Sequence, residues 1–216
     1  MLKLDLSPGG RAPSRILCLG AHCDDIEIGC GGALLRLLQG AQTQITWMIL
    51  CSDEIRASEA RASASKFMEA AGERRLAVHP FRDGYLPHHW AEAKEAMERM
   101  AREFAPDLIF THCGRDLHQD HRTVCELTWN TFRDNLILEY EIPKYDGDLG
   151  SPNLFIHLDE SQVLRKTENI LACYRSQAAK SWFTEDTFLA LMRLRGVESN
   201  SPTRFAEAFY CRKLSV

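Results

Sequence analysis

The 216-residue sequence predicts an α/β fold, a parallel sheet with helices packed on both faces. Three observations carry that expectation. Short apolar runs alternate with longer amphipathic stretches through the first half of the chain. Gly and Pro punctuate the boundaries between them. Histidines and carboxylates gather directly after two of the apolar runs, where open α/β sheets place their ligands.

Taken in order, Ile16-Leu17-Cys18-Leu19 reads as a first buried strand, and residues 31–38 as the helix that follows it. Residues 44–51 alternate and end apolar, giving a second strand. An Ala-rich helix is expected over 58–71, with Gly72 as its stop. Residues 76–79 form a short third strand closed by Pro80. Ala93, Met97, Met100 and Phe104 repeat on one face of a helix over 91–104, which Pro106 ends, and Leu108-Ile109-Phe110-Thr111 is the next strand. A further helix starts near Asp120 and carries Val124, Leu127 and Thr128. The Pro-, Gly- and Asp-rich residues 141–153 form a loop. After it come a strand at 154–158, helices over 161–174 and 184–195, the second capped by Gly196, and a strand-like segment at 205–210. No repeat or low-complexity tract divides the chain. One domain is expected over 1–216, with residues 1–14 as a short polar lead-in.

The composition, 45% hydrophobic and 26% charged, is that of a soluble globular protein, and a net charge of −4 gives no nucleic-acid-binding surface. No segment is apolar for long enough to span a bilayer. Residues 1–15 lack the apolar core of a signal peptide. Eight cysteines occur without a C-x-x-C pair, several within apolar runs, which favours free thiols in a reducing, cytoplasmic setting.

Chemistry concentrates in Gly20-Ala21-His22-Cys23-Asp24-Asp25, after the first strand, and in Leu117-His118-Gln119-Asp120-His121, after a later one. Catalytic zinc usually takes three protein ligands, often two His and a carboxylate, and keeps a fourth position open. His22 and Asp25, three apart around a tight turn, can face one ion. The third ligand must come from elsewhere, with His118 and His121 as candidates. Asp24, adjacent to Asp25 but turned differently, is placed to accept a proton from water. Cys23 is expected to fill the turn. The plainer alternative is that Asp24 or Asp25 merely caps the next helix, with Gly29, Gly31 and Gly32 there for close packing. Two such clusters at two strand ends outweigh it. A dinucleotide site fails because G-x-G-x-x-G is incomplete and two aspartates in the turn would repel a pyrophosphate.

The chain resembles the PIG-L/LmbE-type family of metal-dependent de-N-acetylases over nearly its full length. The signature A-H-P-D-D-[EI] is matched by Ala21-His22-Cys23-Asp24-Asp25-Ile26, and H-x-D-H by His118-Gln119-Asp120-His121. Shorter matches are Arg61 with the Ala-rich helix before Gly72, Ser176-Gln177, and Ala206-Glu207-Ala208-Phe209. Cys23 stands where the family has proline, Ile26 where it often has glutamate, and Ala64 where a glutamate often follows the helix arginine.

The resemblance implies a three-layer αβα sandwich on a mostly parallel, Rossmann-like sheet. It implies zinc, or another divalent transition metal, held by His22, Asp25 and His121. Asp24 would be the general base; His118 would stabilise the oxyanion or protonate the leaving amine, with Asp120 orienting or tuning it. Arg61 (or Arg56) and Asp83 are the substrate contacts expected from relatives. The implied substrate is a small N-acetylated sugar or glycoconjugate, often N-acetylglucosamine joined to something larger, and some members form homo-oligomers. An amidase of a thiol conjugate is a rival within the family. A non-catalytic sugar-binding module is a rival outside it, and it needs neither Asp24 nor His118. His88 and His89 are expected to be solvated and His112 buried, with Tyr145, Asp146 and Trp182 near a sugar.

Overall fold

The computed structural model describes residues 14–39 and 42–215, so the expected lead-in, apart from Ser14, lies outside the described residues. β1 (Arg15–Gly20) runs between β2 (Gln44–Cys51) and β4 (Leu108–His112), both parallel to it. β3 (Glu73–Phe81) extends the sheet beyond β2, and β5 (Leu136–Tyr140) extends it beyond β4, again in parallel. β7 (Ala206–Cys211) then pairs antiparallel with both β5 and β6 (Leu154–His157), giving the order β3-β2-β1-β4-β5-β7-β6. The sheet is mostly parallel, as the βα alternation requires.

Side-chain alternation along the central strands builds two cores. Ile16 and Cys18 enter one, with Ile45, Trp47 and Phe110; Leu17 and Leu19 enter the other, with Met48 and Ile109. The first is covered by α1 (Asp25–Leu37), α2 (Glu54–Phe67), α5 (Glu160–Cys173) and α6 (Glu185–Glu198). The second is covered by α3 (Trp90–Glu103) and α4 (Gln119–Thr131). Each fully buried Leu, Ile or Phe contributes about 1.5–3 kcal/mol. A strand buried on both faces is therefore a fixed platform for the turn at its end. Among the described residues, no helix is long and apolar enough to cross a membrane.

Several elements differ from the sequence expectation for identifiable reasons. α1 begins at Asp25, so the glycines lie inside the helix; at Gly29 a Cβ would run into the Tyr140 ring. α2 begins earlier than expected because the Asp53 side chain accepts the Arg56 N–H at 2.8 Å, and it ends at Phe67, short of Gly72. β3 continues through Pro80, which an edge strand tolerates. Gly196 lies within α6 and does not cap it. The strand β5 was not expected at all.

The Ala206-Glu207-Ala208-Phe209 stretch also acquires a structural role. Glu207 accepts the Gly32 and Ala33 N–H groups at 2.8 and 2.6 Å, while buried Lys166 donates to the Ile28 carbonyl at 2.7 Å and to Glu207 at 2.6 Å. A carboxylate and an ammonium thus enter the ladder of α1 and tie it to β7 and α5. This fixes the helix whose first turn carries Asp25.

Candidate metal centre

β1 and β4 are in register from Ile16 with Leu108, so the turns leaving their C-terminal ends meet. After Gly20 the Asp25 Oδ2 accepts the His22 backbone N–H at 2.6 Å, closing the turn. Asp24 holds the N-cap position of α1 but makes no capping bond; its Oδ1 takes the Arg56 Nη2 at 2.6 Å. Helix capping therefore does not account for Asp24. Cys23 is buried, its Sγ 3.7 Å from the Cys51 carbonyl, and burial pushes its thiol up to about 12.

On the other side, His118 is the N-cap of α4, with Nδ1 accepting the Asp120 N–H at 3.2 Å. The first turn of that helix then points His121 at His22. His22 Nδ1 is 3.1 Å from His121 Nε2 and 3.3 Å from Asp25 Oδ2, and His121 Nε2 is 3.5 Å from Asp25 Oδ1. Tetrahedral zinc with bonds of ~2.0–2.1 Å separates its ligand atoms by ~3.3–3.4 Å. The donor types fit the ion, with Asp25 turning Oδ2 toward His22 and Oδ1 toward His121.

Each of these imidazoles is held by a carboxylate on its other nitrogen. His22 Nε2 lies 3.2 Å from Asp120 Oδ2 and 3.0 Å from Asp83 Oδ1; His121 Nδ1 lies 2.9 Å from Asp116 Oδ2. Such partners fix the tautomer and ring orientation of a metal-binding histidine. His112 is fully enclosed behind Asp25, with Nε2 3.0 Å from Asp25 Oδ2 and 3.0 Å from the Ala21 N–H. It can also group with Asp25 and His121, but such a site would be sealed in the interior. His22 also forms a compact donor group with His118 and His121, and another with Asp83, His118 and Asp120 that faces outward. The Asp120 carboxylate there is already engaged by the Gly84 and Leu86 N–H groups at 2.6 and 3.1 Å.

The electrostatics separate the two ligand histidines. Burial pushes the His22 imidazole down, but Asp25, Asp120 and Asp83 together raise it well above its ordinary value. His121 is lowered to about 4, first by burial and then by the charge of His112. Burial also raises Asp24, against the pull of Arg56. Asp83, hydrogen-bonded to His22, is held at about 2. Burial and the neighbouring His22 lower His118.

The structure thus brings together His22, Asp24, Asp25, Asp83, His118, Asp120 and His121. Arg61 is not among them: it is exposed on α2, five residues and ~7.5 Å along the helix from Arg56. Arg56, in the first turn, reaches Asp24 and also lies 3.4 Å from Asp83. The Asp120 carboxylate bonds His22 and the 84–86 backbone, and acts on His118 through its charge, which pulls that imidazole upward. Gly84 has φ +81, the left-handed conformation that glycine favours, and so presents its N–H to Asp120. His88 and His89 pack near Tyr85 and Phe81, with no bond to the cluster. Tyr145 is exposed, its hydroxyl 3.4 Å from Ser181 Oγ. Sequence reasoning missed Asp116, although a carboxylate two residues before His118 and five before His121 was a visible signal.

The family model for GlcNAc-PI de-N-acetylase, PIG-L, matches residues 17–132, which include both motifs. Solved structures of the same fold include N,N'-diacetylchitobiose deacetylase from Pyrococcus horikoshii, 21% identical, covering 92% of this chain and 84% of that one at a TM-score of 0.71. The A40926 pseudoaglycone deacetylase is 18% identical and covers 94% of this chain and 99% of its own, with a TM-score of 0.67. A zinc-inhibited form of teicoplanin deacetylase is 14% identical and covers 91% and 97%, with a TM-score of 0.70.

Proposed function

The chain belongs to the PIG-L family of GlcNAc-PI de-N-acetylases, and from that premise we propose that it is a metal-dependent hydrolase removing the acetyl group from an N-acetylated sugar or glycoconjugate. One observation carries the proposal: His22, Asp25 and His121 present donor atoms 3.1–3.5 Å apart, with Asp24 and His118 adjoining them. The fold neighbours named for deacetylation of diacetylchitobiose and teicoplanin support a sugar-type substrate.

His22, Asp25 and His121 would hold the ion, zinc in the first instance, which supplies Lewis acidity toward an amide carbonyl and lowers the pKa of water to ~7. Asp24 accepts the proton of the attacking water at Oδ2, the oxygen Arg56 leaves free, and its burial-raised pKa makes it the stronger base. His118, with Nδ1 engaged by the Asp120 N–H, carries its proton on Nε2 and donates to the carbonyl oxygen as that oxygen gains charge. The proton held by Asp24 passes to the departing nitrogen, and the products are acetate and a free amine. Arg56 and half-exposed Asp83 offer a donor and an acceptor for sugar hydroxyls, a role assigned to them in place of Arg61.

The test is metal analysis of the purified protein with acetate release from N-acetylglucosamine, its conjugates and non-sugar acetamides. The expected result is acetate from N-acetylated sugars, lost on chelation and restored by zinc. No acetate from any acetamide after zinc loading would overturn it, and release from thiol-conjugate amides alone would move the substrate class.

A further inference from the structure

The segment joining β5 to β6, residues 141–153, is tied down at both its neck and its tip. At the neck, buried Glu141 binds Arg195 Nε at 3.0 Å and accepts the Gly150 N–H and Tyr210 hydroxyl, each at 3.0 Å. At the tip, Lys144 Nζ lies 3.0 Å from Asp116 Oδ2 and 2.7 and 2.5 Å from the two Asp148 oxygens. Asp148 also accepts the Leu117 N–H at 2.7 Å. All three side chains are below a tenth exposed. Asp116 in turn accepts the His118 N–H at 2.8 Å and the His121 Nδ1–H at 2.9 Å.

Lys144 and His121 therefore share one oxygen, Asp116 Oδ2. Asp116 has little else to hold it: Arg122 bonds its backbone carbonyl, and no cation other than Lys144 and the imidazole pairs with its carboxylate among the described residues. We infer that Lys144 and Asp148 are positioning residues of the metal centre, fixing Asp116 so that it presents His121 Nε2 to the ion. Asp148 anchors the ammonium and, through the Leu117 N–H, the backbone on which His118 stands.

The sign of the effect separates this role from others. Lys144 as a mere local charge would repel a cation, so its removal would tighten zinc binding. As a strut for the fold alone, its removal would lower Tm and leave the affinity of the folded protein unchanged. As a positioning residue, its loss weakens zinc binding by ~10–100-fold, the usual cost of losing an outer partner of a metal ligand.

The inference rests on His121 being a ligand, and the experiment keeps the two claims apart. Zinc dissociation constants are measured by chelator competition on the full chain and its variants, with circular dichroism to confirm folding. The expected result is ~10–100-fold weakening in Lys144→Met, a smaller loss in Asp148→Asn and recovery in Lys144→Arg. Unchanged or tighter binding in folded Lys144→Met, with binding abolished in His121→Ala, overturns the positioning role alone. Wild-type binding in His121→Ala overturns the ligand assignment itself. If Lys144→Met does not fold, Asp148→Asn decides: wild-type affinity there counts against the inference.

Discussion

His22 and His121 are both buried and face the same point, yet their surroundings drive their basicity in opposite directions. His22 sits among Asp25, Asp83 and Asp120, and its imidazole is raised well above the ordinary value. Burial first, and then the charge of His112, hold His121 down at about 4 against the upward pull of Asp25 and Asp116. In the metal-free site the charged form is therefore favoured at His22 and disfavoured at His121. The two halves share a construction, an imidazole backed by a carboxylate that itself meets a cation, Lys144 at 3.0 Å from Asp116 and, more loosely, Arg56 at 3.4 Å from Asp83. An arriving ion must displace a proton from His22 and finds His121 ready.

Breaking either half at the ligand itself has the greatest consequence. His22→Gln and His121→Ala are each expected to abolish stoichiometric zinc retention, checked by elemental analysis after gel filtration. Asp24→Asn belongs to neither ligand set; it should keep its zinc and lose ~10²–10⁴ in kcat, measured by acetate release. Zinc loss together with activity in that variant would mean Asp24 serves the ion.

The backing carboxylates sharpen the contrast further. Asp116→Asn should weaken zinc by ~10–100-fold with little change in KM. Asp120→Asn should weaken zinc comparably and also raise KM, because Asp120 holds the Gly84 and Leu86 N–H groups that position Asp83. Equal KM in both variants would remove that distinction.

The pH dependence follows from the same asymmetry. Zinc affinity should fall about tenfold for each pH unit below the raised His22 pKa, as one proton must leave. In the metal-free protein a raised histidine stabilises the fold below its unfolded value of 6.5 and loses that contribution as pH climbs through the folded pKa. His121, lowered to about 4, does the reverse: its contribution is present above 6.5 and is lost as pH falls toward 4. Thermal melts of metal-free His22→Gln and His121→Gln across pH should lose opposite limbs of the profile. The least effect should come from Asp159→Ala, which breaks the capping box of α5 outside both halves; about 1 kcal/mol of stability and no change in zinc affinity are expected.

The turn that carries His22 and Asp25 was legible because it is local, running straight from β1 into α1, whereas Asp83 and Asp120 behind His22 come from distant segments. His121 was legible as a motif, but what stands behind it was not. Asp116, Lys144 and Asp148 meet only because residues 141–153 fold back onto the β4–α4 connection, a contact without sequence periodicity. Arg56 stood as the alternative to Arg61, the arginine that the resemblance put first; with Asp53 as cap, α2 starts four residues earlier than expected and Arg56 falls in its first turn beside Asp24. β5 escaped notice because Glu139 interrupts its short apolar run. That glutamate is buried with Trp129 Nε1 at 2.7 Å and the Gly114 N–H at 2.9 Å, a long-range arrangement that polarity alone does not reveal.

The central claim, that two imidazoles and one carboxylate hold the ion, is most directly tested by X-ray absorption on the zinc-loaded protein. The account expects only nitrogen and oxygen ligands at ~2.0–2.2 Å, with the scattering of two imidazoles, and one imidazole fewer in any zinc still bound by His121→Ala. A sulfur ligand at ~2.3 Å, which Cys23 or Cys51 would have to supply, or an imidazole count unaltered in that variant, would contradict it.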